Sequence, residues 1–249
     1  MDAKTTERSQ RLADIGLIYN GDSFIFEDIN FHWTDITCMS DQEFDKAYAG
    51  AVKRKETLDK ERKKLRVHRI IPMSEANGPG RRYVIWVQGC SIRCDGCSNT
   101  DTWDFEGGEG WDVDDLVKDI LSRDNLDGIT ITGGEPLDQA PAVTELCKKL
   151  IKHTSIFLTT GYALKDLIHD FSRGVLPMVC GERILACVDI LCTGPFEKDK
   201  ICSGQWKGSS NQVITYLTER GRQQSTMPVV LKEFHIDTDG TTIETGFSC

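Results

Sequence analysis

Three cysteines stand close together in the first half of the chain, directly after an apolar run. The run is Tyr83–Val87, and the cysteines are Cys90, Cys94 and Cys97, with the spacing C-x3-C-x2-C. Thiolates spaced this closely in one loop are typical ligands of an iron–sulfur cluster. The next cysteine, Cys147, follows Cys97 by 50 residues. The spacing therefore predicts a four-iron cluster with three protein ligands and one iron left open for another molecule.

A structural zinc ion is the alternative to a cluster. Zinc in a structural site takes four ligands in a closed tetrahedron, usually cysteine and histidine. The cysteine loop supplies neither a histidine nor a fourth cysteine. The histidines of the chain lie elsewhere, without motif-like context: His32, His68, His153, His169 and His235. The loop therefore favours a cluster over a zinc ion and over three buried thiols without metal.

The composition is ordinary for a globular protein: 39% of the 249 residues are hydrophobic and 28% are charged. That length allows one good-sized core, with or without a small accessory domain. The N-terminus has no apolar stretch after its charges, and no apolar run approaches the roughly 20 residues of a membrane span. We therefore expect a cytoplasmic protein without membrane contact, whose ten cysteines stay reduced. The net charge of −9 disfavours nucleic acid as a partner.

Residues 1–67 are predicted to form an N-terminal accessory region. Leu17–Tyr19 and Phe24–Phe26 flank Asn20-Gly21, which indicates a β-hairpin. Asp41–Leu65 has the thin apolar stripe of a long, charged helix. Acidic residues interrupt its basic ones, which favours a solvated face over a nucleic-acid patch. No chemistry can be assigned to this region from its residues.

Residues 68–220 alternate between strand and helix patterns, which predicts an α/β core with a parallel sheet. The predicted strands are Tyr83–Val87, Gly128–Thr132, Ser155–Thr159, Arg183–Leu191 and Gln212–Leu217. With about five such units we expect an open, partial (β/α) barrel rather than a closed eight-fold one. The remaining residues, 221–249, are predicted to form a C-terminal β-hairpin from Val229–Ile236 and Thr241–Phe247.

Conspicuous motifs come directly after three of these predicted strands. The cysteine loop follows the first, the segment Gly133, Gly134, Glu135 and Pro136 follows the second, and Thr159–Tyr162 follows the third. Active residues of parallel α/β sheets lie at the carboxyl ends of the strands. Glycines let backbone carbonyls approach a ligand, and a glutamate adds a negative partner for an ammonium group. We therefore expect these loops to form one site.

The motifs together resemble the radical S-adenosylmethionine enzymes, whose signature is the C-x3-C-x2-C loop. The resemblance implies that Cys90, Cys94 and Cys97 bind a [4Fe-4S] cluster and are the catalytic residues. It implies that S-adenosylmethionine chelates the open iron and that Gly133–Pro136 contact its methionine amino group. Reductive cleavage of this cofactor then releases a 5′-deoxyadenosyl radical.

Within that superfamily the chain resembles the activating proteins of anaerobic ribonucleotide reductase, in the glycyl-radical activase group that includes pyruvate formate-lyase activating enzyme. The resemblance covers roughly residues 68–217. It is carried by Gly78–Arg81, Gly96, Asn99–Trp103, Thr160–Tyr162, Asp189–Leu191, Gly194–Phe196 and Trp206–Gln212. It implies that Asn99 and Trp103 shape the cofactor pocket and that Thr160, Tyr162 and Asp189 line it. Gly208–Gln212 is expected to face a partner.

The function implied by this resemblance is an anaerobic oxidoreductase that generates a glycyl radical on a partner enzyme. An external electron donor such as flavodoxin or ferredoxin is implied with it. Two alternatives stay open. The same radical chemistry could serve a small molecule or peptide, because residues 1–67 and the tail have no counterpart in a minimal activator. The chain could instead be an iron–sulfur electron-transfer or sensor protein, which would not need Gly133–Pro136.

The other cysteines do not indicate a second cluster. Cys180, Cys187, Cys192 and Cys202 are loosely spaced, and two of them fall on opposite faces of one predicted strand. Buried cysteine commonly acts as a small hydrophobe. We expect that role for this group and for Cys147 on the apolar face of its helix.

Overall fold

The computed structural model of the chain describes residues 2–26, 29–169, 184–202, 206–236 and 240–246. The α-helices in these ranges are α1 (Ala3–Asp14), α2 (Trp33–Cys38), α3 (Asp41–Glu61), α4 (Val113–Leu121), α5 (Ala140–Leu150), α6 (Leu164–His169) and α7 (Glu219–Gln224). The strands are β1 (Ile18–Tyr19), β2 (Ser23–Phe26), β3 (Ile29–His32), β4 (Lys64–Ser74), β5 (Arg82–Val87), β6 (Glu109–Asp112), β7 (Gly128–Gly133), β8 (Ser155–Thr160), β9 (Ile190–Thr193), β10 (Val213–Tyr216), β11 (Lys232–Ile236) and β12 (Thr242–Gly246).

A seven-stranded sheet forms the centre of the α/β fold, with the order β10-β9-β8-β7-β5-β4-β6. Its middle strands β5, β7, β8 and β9 are parallel to one another. The predicted strands at Tyr83–Val87, Gly128–Thr132 and Ser155–Thr159 are confirmed, each within one residue at either end. The expected mixture of helices and a mostly parallel sheet is therefore confirmed.

Three neighbouring pairs of strands in this sheet are antiparallel, which the sequence pattern did not predict. β10 pairs antiparallel with β9, and β4 pairs antiparallel with both β5 and β6. A parallel neighbour needs a long crossover, usually a helix, whereas an antiparallel neighbour does not. Between β9 and β10 the described residues contain only the short 3-10 helix Lys198–Lys200. The chain therefore returns along β9 in the opposite direction.

The predicted strand Arg183–Leu191 was wrong over most of its length. Ile184 and Leu185 are helical, the Cys187 N–H donates to the Ile184 carbonyl, and β9 begins only at Ile190. The apolar residues before β9 are nevertheless buried in the main core. A short apolar run of this kind has the same pattern in a buried turn as in a buried strand.

Strand β5 separates two apolar layers because alternate side chains point to opposite faces of the sheet. Tyr83, Ile85 and Val87 belong to the large core that α4 and α5 cover. Val84 and Trp86 belong to a smaller cluster on the other face. All six residues of the strand are buried, and for the five residues Tyr83–Val87 the unbroken apolar run predicts this.

Helices α4 and α5 supply the covering layer of that core. Asp112 caps α4 by accepting a hydrogen bond from the Asp114 N–H, as predicted. The buried stripe of α4 is Val113, Leu116 and Ile120, and it repeats at the spacing of an amphipathic helix. On α5, Cys147 is fully buried within the same core, in the small hydrophobic role expected for it.

The N-terminal residues form a separate apolar cluster. The predicted hairpin is present as β1 and β2, which pair antiparallel, and β3 adds a third strand. The predicted long helix is α3, which starts with a capping box between Ser40 and Glu43. β4 begins at Lys64, so the expected start of the core at residue 68 falls within this strand.

The C-terminal strands β11 and β12 pair antiparallel and form a two-stranded sheet of their own, as the hairpin prediction expects. The predicted turn residues Asp237–Asp239 lie outside the described ranges. Among the helices of the described ranges, none combines the length and the apolar character that a membrane crossing requires.

Arg82 is the most constrained polar side chain of the sheet. It is fully buried, and its guanidinium donates to the carbonyls of Ile129, Pro79 and Ser155 and to the Thr130 hydroxyl. We expect Arg82→Met to lower the free energy of unfolding by about 3 kcal/mol or more, because it leaves these buried acceptors unpaired. Urea denaturation of the metal-free protein measures the change.

The neighbouring Arg81 provides the matched control. Its side chain is 40% exposed and pairs with the partly exposed Asp127 carboxylate at 3.4 Å. Arg81→Met should lower the free energy of unfolding by less than about 1 kcal/mol. Equal losses from the two substitutions would contradict the role assigned to the buried guanidinium.

Candidate functional site

The cysteine loop leaves the carboxyl end of β5 and is fastened at both ends. The Gly89 N–H donates to the Thr102 carbonyl at 2.7 Å, and the Cys90 N–H donates to the Trp103 carbonyl at 3.4 Å. Ser91 donates its N–H and its hydroxyl to the Asp138 carboxylate at 2.6 and 2.8 Å. These bonds close the loop on itself and join it to the segment that follows β7.

Cys90, Cys94 and Cys97 line one cavity of about 460 Å³. This volume lies in the range of small-molecule sites. Cys90 is buried, and the other two thiols are partly buried. Burial raises the pKa of Cys90 and of Cys94 above the ordinary thiol value, so both are neutral thiols near pH 7 until a metal displaces their protons.

Backbone N–H groups surround the sulfur atoms. The N–H groups of Ile92 and Arg93 face the Cys90 sulfur, and the Phe196 N–H faces that of Cys94. All three N–H groups oppose the rise in thiol pKa. The Asn99 N–H donates to the Cys97 sulfur at 3.4 Å. Hydrogen bonds of this kind to ligand sulfurs help to set the reduction potential of an iron–sulfur cluster.

The donor set fits a four-iron cluster with one open iron. The described lining of the cavity contains three cysteines, no fourth cysteine and no histidine. In the described ranges, no three Cys, His, Asp or Glu side chains converge on a point where they could hold a single metal ion. A cube-shaped cluster suits three thiols that share a cavity wall, since each thiolate binds its own iron.

The segment after β7 packs directly against the cysteine loop. Gly133 has a φ of +103°, and a Cβ there would lie 2.8 Å from the Trp86 Cα. A Cβ on Gly134 would overlap the Gly89 carbonyl oxygen. Only glycine permits this approach, and both residues line the cavity beside the thiols.

Glu135 joins the carboxyl ends of β7 and β8. Its buried carboxylate accepts hydrogen bonds from the Thr160 hydroxyl at 2.8 Å, from the Gly161 N–H at 2.8 Å and from the Leu137 N–H at 2.9 Å. Burial raises its pKa to about 7, against these donors. A ligand cation in the cavity would favour the ionised form of this carboxylate.

The structure brings most of the predicted site residues to the same cavity. Asn99, Gly133, Gly134, Glu135 and Thr160 line it together with the three thiols. Pro136, Trp103 and Tyr162 are not among the residues of the described wall. Pro136 begins the 3-10 helix Pro136–Gln139, and Tyr162 packs against the main core. Burial raises the pKa of Tyr162, whose hydroxyl interacts with Ser91.

Asp189 lies elsewhere, at the end of the sheet where β8 begins. Its carboxylate accepts from the Ile156 N–H at 2.9 Å, from the Thr218 hydroxyl, and from Arg220 at 2.8 Å. The cavity lies at the carboxyl ends of β8 and β9, whereas Asp189 lies at their amino ends. The structure therefore gives Asp189 a role in joining β8, β9 and the start of α7, not in lining the cavity.

Two further wall segments carry residues that were not among the predicted cofactor-binding residues. The loop before β10 brings Trp206, Lys207 and Gln212 to the cavity, and β12 brings Glu244–Gly246. The Gln212 side chain accepts from the Gly208 N–H at 2.8 Å and donates to the Gly194 carbonyl at 3.0 Å. The resemblance at Trp206–Gln212 was a signal for the first segment, whereas no residue pattern indicated the second.

The position of Asp189 predicts a stability defect without a catalytic one. Asp189→Asn places an amide N–H₂ where only donors face it, so we expect the free energy of unfolding to fall by about 1–3 kcal/mol. Cofactor cleavage per reconstituted cluster should stay unchanged. Asp115→Asn is the control, because the Asp115 carboxylate is 64% exposed. A large loss of cleavage at unchanged stability would place Asp189 in the site after all.

Comparisons with known proteins agree with this geometry. The protein-family model described as "4Fe-4S single cluster domain" matches residues 76–215. That range contains the cysteine loop, the Gly133–Pro136 segment, strands β5 to β9 and all but the last residue of β10. The N-terminal cluster and the β11–β12 hairpin lie outside it.

Similar proteins carry names from one enzyme group. The anaerobic ribonucleoside-triphosphate reductase-activating protein of Enterobacteria phage T4 is 32% identical over 58% of this chain and 89% of its own length. That of Pasteurella multocida is 34% identical over 59% of this chain and 95% of its own. The pyruvate formate-lyase-activating enzyme of Clostridium pasteurianum is 39% identical over 39% of this chain and 44% of its own. The chain thus belongs to the 4Fe-4S single cluster family and, within it, to the radical S-adenosylmethionine activases that include the anaerobic ribonucleoside-triphosphate reductase-activating proteins.

Proposed function

We propose that this protein cleaves S-adenosylmethionine at a [4Fe-4S] cluster and uses the radical to abstract a hydrogen atom from a glycine Cα of a partner enzyme. The observation that carries the proposal is the shared cavity. Three thiols, the Gly133–Glu135 segment and the end of β8 line it together. The relatives named as activators of an anaerobic reductase and of pyruvate formate-lyase support a glycyl radical enzyme as the partner.

Cys90, Cys94 and Cys97 would hold the cluster, and the N–H groups facing their sulfurs would stabilise the thiolates. When bound, the reduced cluster would supply one electron to S-adenosylmethionine, whose C–S bond would then break to give methionine and the 5′-deoxyadenosyl radical. The protein binds and orients the cofactor and keeps water from the reactive carbon. An external donor such as flavodoxin or ferredoxin would supply the electron.

The end of β7 would bind the methionine part of the cofactor. Gly133 and Gly134 expose backbone at the cavity wall because they carry no side chain. Glu135 is held rigid by three donors and carries the negative charge that an ammonium group needs. Asn99 and Thr160 would complete this side of the pocket, and Trp103, Tyr162 and Pro136 would support it from behind.

The architecture we propose for this function is an open partial barrel. In the described ranges, β10 and β6 occupy the two ends of the sheet order and do not pair with each other. An open side would admit a segment of another protein chain.

We further propose that the chain is divided into an accessory region of residues 1–67, a catalytic core of residues 68–220 and a hairpin tail of residues 221–249.

Cofactor cleavage tests the chemistry. Reconstituted protein with dithionite and S-adenosylmethionine should form 5′-deoxyadenosine, and Cys94→Ala should lower its yield per protein at least about a hundredfold. The reason is that Cys94 would be one of only three protein ligands to the cluster. Cys38→Ser, at an exposed cysteine, is the matched control and should keep full yield. Equal yields of 5′-deoxyadenosine from the wild type and from Cys94→Ala would refute the proposed enzyme activity.

Glu135→Gln tests the binding of the cofactor. We expect the concentration of S-adenosylmethionine for half-maximal cleavage to rise roughly tenfold, because a neutral amide loses the charge-assisted hydrogen bond. Initial rates of 5′-deoxyadenosine formation give this concentration, and iron content reports whether the site remains intact. Glu145→Gln on α5, outside the described cavity wall, should leave the half-maximal concentration of S-adenosylmethionine unchanged. An unaltered value in Glu135→Gln would exclude the carboxylate from cofactor binding.

A further inference from the structure

The β11–β12 hairpin forms part of the cavity wall although it lies beyond the residues that the family model matches. Glu244, Thr245 and Gly246 of β12 line the same cavity as the three thiols. The family match ends at residue 215. The hairpin therefore contributes wall residues from outside the matched range, whereas the other lining residues apart from Arg69 lie within it.

Polar contacts fasten the inner face of the hairpin to the segment after β4. The Glu233 carboxylate accepts from the Ser74 hydroxyl at 2.5 Å and from the Glu75 N–H at 2.8 Å. The Thr245 hydroxyl accepts from the Asn77 side-chain amide at 2.8 Å. Asn77 and Thr245 are both buried, so these bonds are shielded from water.

Apolar contacts on the same inner face reach the sheet itself. Ile243 packs against the cluster of Ile71, Val84 and Trp86. Trp86 also lines the cavity. The hairpin is therefore held against the cavity by both polar and apolar contacts, and its place there is fixed by packing.

The opposite face of the hairpin is exposed and carries two large apolar side chains, Phe234 and Ile236. We call it the outer hairpin face; its residues are Lys232, Phe234, Ile236, Thr242 and Glu244. Phe234 pairs across the strands with Glu244, and Ile236 pairs with Thr242, so these side chains share a face. Phe234 is 61% exposed and Ile236 is 74% exposed.

The outer hairpin face is continuous with the cavity through Glu244. This residue lines the cavity, its carboxylate lies 2.7 Å from the Lys232 ammonium, and it stands directly across from Phe234. The Lys232 ammonium lies 5.9 Å from the centre of the Phe234 ring. A ligand that leaves the cavity past β12 therefore meets an apolar surface bordered by one ion pair.

The proposed substrate is a glycine within a protein chain, so the residues on both sides of it must leave the cavity across its rim. Exposed apolar side chains beside a cavity are typical of interaction surfaces. Ile201, which lines the cavity and is 52% exposed, adds a further apolar rim position. We propose that the outer hairpin face binds the segment of the partner enzyme that flanks the target glycine. This inference rests on the proposed function.

The substitution Phe234→Ser with Ile236→Ser tests the surface. The probe is a purified anaerobic ribonucleoside-triphosphate reductase, the enzyme class named in the similar activating proteins, and the readout is the glycyl radical measured by electron paramagnetic resonance at increasing reductase concentration. The reductase concentration for half-maximal radical formation should rise at least about tenfold, because two apolar contacts are lost. Iron content and 5′-deoxyadenosine formation without the reductase should match the wild type.

The control pair is Ile18→Ser with Leu121→Ser, at positions 67% and 48% exposed on other elements. This control pair should leave the reductase concentration for half-maximal radical formation unchanged. An unchanged concentration in the hairpin variant would overturn the inference, as would an equal loss of cleavage without the reductase. A wild-type protein that cleaves S-adenosylmethionine but forms no glycyl radical would instead refute the proposed function, and this inference with it.

Discussion

Two backbone hydrogen bonds join the loops that make the site. The Gly134 N–H donates to the Val87 carbonyl and the Glu135 N–H donates to the Gly89 carbonyl, both at 2.9 Å. They continue the parallel pairing of β5 and β7 beyond the ends of the strands, where Val87 stands opposite Gly133. The cysteine loop and the glycine segment are therefore one unit. Glu135 extends this unit to β8, so three successive strand ends share one wall.

Much of this unit could be predicted because its causes are local in the sequence. The apolar run of β5 predicts a strand buried on both faces, and the cysteine spacing predicts ligands within one loop. The place of Gly133–Pro136 followed from the rule that parallel strands end at the same edge. The apolar stripe of α4 and its N-cap at Asp112 could also be predicted from the sequence. In each case one segment contained all the information needed.

What could not be predicted depends on contacts between distant segments. Asp189 lies one residue before β9, and only the fold shows that its carboxylate meets the Ile156 N–H and Arg220. The predicted helix ended at Leu65, but Lys64 and Leu65 begin β4, and that strand is defined by its pairing with the distant strands β5 and β6. The hairpin was recognisable as a hairpin, but its place at the cavity depends on Ser74, Asn77 and the surface around Trp86.

Arg82 has a consequence for how the chain acquires this structure. Its guanidinium binds carbonyls of β7 and β8 and approaches Gln224 of α7, whose amide oxygen also accepts from the Ser155 hydroxyl. A buried cation is tolerated only when its acceptors are in place. On the ribosome, the enclosure of this charge stays incomplete until residue 224 has emerged. The central strands should therefore close late and cooperatively, and truncated chains should expose β5 to chaperones and proteases.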